Sequence, residues 1–137
     1  MNLIKLSQAT LASGVVMWGV AGLWHQVIMA QFYQNETDAT HEGTGVIFIA
    51  YLVLGLLMTY LYSSGKIQGR PVIEGIRFGA IIGLLWVFPH ELAMAGAHGE
   101  PLSYVFKNAA WHLVEQAIGG FIIAWIYSRG SRKTRYG

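Results

Sequence analysis

Four runs of apolar residues, each about as long as a bilayer is thick, constrain this chain more than anything else in it. They fall at about residues 7–32, 44–63, 72–97 and 104–127. A bilayer core of about 30 Å takes about 20 helical residues to cross, and each run approaches or exceeds that length. A spanning segment must satisfy its own backbone hydrogen bonds in lipid, which predicts helices. Residues 1–137 then read as one integral membrane domain, an all-α bundle of four transmembrane helices. Charge agrees: Asp, Glu, Lys and Arg make up 12% of the chain, against about 25% in soluble domains. The first run is too long for a signal-peptide core and contains His25 and Gln26, so it is read as a retained helix.

The connections between runs differ in sign. The first, Gln34 to Gly43, is acidic, and the third, His98 to Pro101, is nearly neutral. Lys66, Arg70 and Arg77 flank the second, Lys5 opens the chain, and Arg129, Arg132, Lys133 and Arg135 crowd its end. The positive-inside rule then predicts both termini in the cytoplasm, with Lys107 the one basic residue on the other side. The C-terminal basic stretch reads as an anchor for anionic lipid. Asn35-Glu-Thr37 fits a glycosylation sequon, a short match of little weight.

Small residues predict how the helices meet. Gly75, Gly79 and Gly83 recur every four positions, Gly14 and Gly22 thin the first helix, and Gly119 and Gly120 thin the fourth. In lipid no hydrophobic drive pulls helices together, so such residues mark close helix contacts. His25 follows Gly22 by three and His90 follows Gly83 by seven, which predicts both histidines on inward faces. Trp18, Trp24, Trp86, Trp111 and Trp125 read mostly as lipid-facing or interfacial aromatics.

Within the fourth run, His112, Glu115 and Gln116 are spaced by three and four, one helical face that continues to Gly119. Ionisable groups at membrane depth are costly and by default mark function. At about 1.5 Å of rise per residue, His25 lies roughly 9–14 Å from the outer end of its helix, His90 roughly 10 Å and His112 roughly 12 Å. Tyr51 sits at a similar level, with Glu91, Glu115 and Gln26 within a turn or two. Pro89 removes one helical hydrogen bond and frees the Leu85 carbonyl near that level.

Imidazole and carboxylate together suit a transition metal such as zinc, iron or copper. A mononuclear site of His25, His90 and His112, with Glu91 or Glu115 as ligand and Tyr51, Gln26 and Gln116 around it, is the most economical reading. Glu115 follows His112, the reverse of the Glu-x-x-His order of di-iron bundles, so that signal is weak. Three other readings stay open: haem b held by two histidines, an ion or proton path, and plain structural pairing that fixes helix register. The proton path lacks polar steps in the inner half beyond Thr59, Tyr60 and Tyr62. His41 and Glu42 read as solvated.

The chain contains no cysteine, which excludes disulfides, thiolate ligands and thiol catalysis. No Ser-His-Asp set, phosphate loop or nucleic-acid surface is evident, and the balance leans away from an enzyme. Trp24-His25 with Phe32-Tyr33, His41-Glu-Gly43, Arg77 to Trp86, Pro89-His90, Ala95 to Gly99 and Trp111 to Gln116 resemble a family of small bacterial four-helix membrane proteins of unknown function. The resemblance runs from about Leu11 to Tyr127. It implies four crossings and a bacterial inner membrane, and assigns no site residue. Partners expected beyond the lipid bilayer are further copies of the chain or the subunits of a larger membrane complex.

Overall fold

The computed structural model describes residues 2–32, 41–65 and 70–129, His41 and Glu42 by their backbone alone. Gln34 to Thr40 of the acidic connection, with its sequon, Lys66 and the basic residues after Arg129 lie outside the described residues. Helix α1 spans Leu3–Leu23 and continues into a π-helical turn, Trp24–Ile28. Helix α2 spans His41–Ser64, α3 Pro71–His98 and α4 Leu102–Ser128. All four are long and apolar enough to cross a membrane, and no strand occurs among the described residues. The first helix begins and ends about four residues earlier than its apolar run predicts.

Local chemistry accounts for the ends. The Asn2 side chain accepts from the Lys5 N–H at 3.1 Å and caps α1. Pro71 opens α3, where its missing N–H costs little, and Glu74 suits the positive end of the helix. Gly99, at φ 72°, closes α3 with its N–H on the Ala95 carbonyl.

The helices line up in the order α2, α1, α4, α3, and α2 touches α3 only lightly. Lys5 Nζ donates to the Tyr127 carbonyl at 3.0 Å, so both chain ends share one end of the bundle. The tightest contact joins α3 to α4. A Cβ on Gly79 would collide with the Gln116 carbonyl, and one on Gly75 would come within 2.5 Å of the Gly120 carbonyl. The α1–α2 contact uses the same device, because a Cβ on Gly14 would meet the Tyr51 carbonyl at 2.9 Å and one on Gly55 the Thr10 carbonyl at 2.8 Å. Gly119 clears room for the Met17 thioether. Gly22 takes no part, since a Cβ there would meet nothing within 4 Å.

Ala9, Met17, Met58, Tyr62, Ile123 and Ala124 form an apolar core toward the terminal end. Leu57, Ile81, Leu85 and Val114 are among the large apolar side chains turned outward, as a lipid solvent favours. Two tryptophans differ from the lipid-facing reading. Trp24 and Trp111 stack face to face, centroids 4.2 Å apart, and tie α1 to α4, while Trp86 and Trp125 are exposed as predicted. Lys107 sits 4.5 Å over the Phe32 ring, which gives the one basic residue at the far end a cation–π partner.

Candidate functional site

Beyond the apolar core, away from the chain ends, the interior turns polar. Glu115 and Gln116 project from the buried side of α4, with 0% and 1% of their surface exposed. Tyr51 Oη, from α2, donates to Glu115 Oε2 at 3.1 Å, and Gln116 Nε2 donates to Glu115 Oε1 at 3.0 Å. One turn earlier on α4, His112 Nδ1 lies 3.4 Å from Glu115 Oε2. That is an ion-pair distance without hydrogen-bond alignment, since His112 Nδ1 makes no hydrogen bond. The His25 ring, carried by the π turn after α1, lies 6.3 Å from the His112 ring, centroid to centroid, tilted by 45°. Tyr51, Glu115, His112 and His25 thus form a chain of side chains drawn from three helices.

The electrostatics of this chain are unusual for a membrane interior. The partners of Glu115 are a phenol, a primary amide and an imidazole, and none is a fixed cation. A buried carboxylate in that setting is balanced by a proton, an imidazolium or a bound cation. His25 Nδ1 is 2.9 Å from the Ala21 carbonyl, which can only accept, so Nδ1 carries a hydrogen and donates it there. Gln116 Oε1 is buried with no hydrogen-bond partner, as is Trp111 Nε1.

Other residues of the sequence reading lie elsewhere. His90 and Gln26 are exposed, and Glu91 is half-buried. Among the described residues no three His, Asp or Glu side chains gather closely enough to hold an ion as a set, so the three imidazoles do not converge. The reason is visible in α3. Its buried positions Gly75, Gly79, Gly83, Val87 and Ala95 advance in multiples of four. Each such step rotates the contact face by about 40°. By residue 90 the face has moved round to Glu91, and His90 points outward. Leu85 and Pro89 lie on the exposed side as well, which removes the Leu85 carbonyl from the site.

A cleft of about 190 Å³ opens where α2 and α3 separate, lined by Ala50, Tyr51, Leu54, Trp86, His112 and Gln116. Nothing in the spacing of Ala50, Leu54 or Trp86 marks them as cleft residues, because the gap follows from how α2 is placed across the bundle. The π turn likewise has no sequence signal, although such turns recur at functional sites. Compared with known proteins, the chain matches no family model, no curated protein and no solved structure.

Proposed function

We propose that this chain is a small multi-pass protein of a bacterial inner membrane that binds a transition-metal ion between His25 and His112, with Glu115 orienting His112. The observation that carries the reading is the approach of the two imidazoles, 6.3 Å between centroids, beside a wholly buried carboxylate. Two metal–nitrogen bonds of about 2.0–2.1 Å, plus the two ring radii, span roughly 6 Å when nearly collinear. Ligating histidines commonly turn one nitrogen to a backbone carbonyl or a carboxylate, and here His25 Nδ1 meets the Ala21 carbonyl while His112 Nδ1 lies 3.4 Å from Glu115. Neutral imidazole is the ligand form, so uptake falls on acidification as the rings protonate.

The orientation belongs to the same proposal. Lys5, Arg70, Arg77 and Arg129 flank the end that holds both termini, which supports a cytoplasmic placement of that end. Metal analysis of gently extracted protein, with an absorption spectrum alongside, tests the site. One zinc, iron or copper per chain without a Soret band supports it, with loss of the metal in His112→Ala. A Soret band would assign the two imidazoles to haem b instead. If the protein holds neither, the second reading takes over, a structural cross-tie in an accessory subunit, which the Tyr51–Glu115 bond between α2 and α4 favours.

A further inference from the structure

Two ties run side by side between the π turn after α1 and helix α4. Trp24 and Trp111, each one residue before a histidine, stack with centroids 4.2 Å apart and planes 2° from parallel. His25 and His112 follow, 6.3 Å apart. Two imidazoles on one tetrahedral ion put their centroids about 5 Å apart, whereas two in a line with it put them roughly 6 Å apart. The spacing here is the linear one. A linear arrangement imposes no twist between the ring planes, so their 45° tilt is compatible with it. Closing the gap to the tetrahedral value would press together two indoles already in contact.

Donor number and charge point the same way. Zinc takes four ligands, and tetragonal or octahedral ions add further donors around two imidazoles in a line. Among the described residues no three His, Asp or Glu side chains gather, and the chain contains no cysteine. Neutral imidazoles bring no charge, while the wholly buried Glu115 carboxylate beside His112 brings one, with no Lys or Arg among its partners. A monovalent ion leaves this group neutral. A divalent ion leaves a net positive charge in a half-buried site, which is costly. We infer that the pair His25 and His112 selects a monovalent ion with a filled d shell, copper(I), held in a line between the two rings, over divalent ions such as zinc(II) and iron(II). The inference rests on the metal reading above and narrows it to one class of ion.

Chelator-treated protein in mild detergent, titrated with copper(I) under argon against bicinchoninate, tests it, with zinc(II) and iron(II) titrated against chromogenic chelators of their own. One copper(I) per chain is expected, held on the order of 100-fold tighter than either divalent ion. Silver(I), which also takes two donors in a line, should displace it. X-ray absorption of the copper(I) form should show two nitrogen donors and the sharp edge feature of linear copper(I). Zinc(II) or iron(II) bound as tightly through the same two histidines overturns the inference and leaves the ion site standing, and so do four donors around copper(I). Failure to bind any of these ions, or copper(I) uptake unchanged in His25→Ala, overturns both the inference and the metal reading. The comparison among ions uses the unmodified chain, so it stands even if His25→Ala fails to fold.

Discussion

Glu115 is the residue on which the account turns, because it is wholly buried and its three partners include no Lys or Arg. If it orients His112 on a metal, Glu115→Gln should weaken metal affinity by about 10–100-fold. The amide is nearly isosteric, so the fold should remain, and a metal titration with circular dichroism as control checks both points. Tyr51→Phe removes one hydrogen bond between α2 and α4. Such bonds within membranes are worth on average about 0.6 kcal/mol and at most about 1.7. Reversible unfolding in mixed micelles should show a loss of that size. The His112, Glu115, Gln116 face was legible in the sequence, since spacings of three and four determine a face without any partner helix. His90 was not. Depth along a helix follows from counting residues, whereas azimuth depends on where the neighbouring helix crosses, and the four-residue seam of α3 rotates away from it.

At the scale of elements, the α3–α4 seam holds the site together. Gly79 lets the backbone of α3 press against the Gln116 carbonyl, next to the side chain that braces Glu115. Gly79→Leu should force the helices apart at a cost of about 1–3 kcal/mol or more, as overpacking does. The same variant should lose bound metal, which an unfolding midpoint and a metal analysis on one preparation would register together. Glycines at every fourth position made this seam readable in advance. Gly55 was not readable, because a single glycine opposite Gly14 has no periodicity. Gly22 misled for a related reason: just two residues on, the chain leaves α-helical phase at Trp24–Ile28.

For the whole molecule, the order α2, α1, α4, α3 determines what can meet. α4 touches every other helix, and its polar face therefore collects Tyr51 from α2 and His25 from the end of α1. The sequence contained the four long apolar helices but not this order, since nothing in the composition of a helix says which neighbour it lacks. The shared end of the termini carries Lys5 and Arg129. Fusions of a cytoplasm-active reporter to either end should be active and fusions of an export-dependent one silent, and the reverse pattern would overturn the orientation. Gly75, Gly79, Gly83, Gly119 and Gly120 are taken up inside the chain, so an oligomer would use other surfaces. The central claim is that His25 and His112, from different helices, ligate one ion. X-ray absorption fine structure at the edge of the bound metal tests this most directly. The account predicts outer-shell scattering from two imidazoles, falling to one in His25→Ala. Scattering from no imidazole, or a spectrum unchanged in His25→Ala, would contradict it.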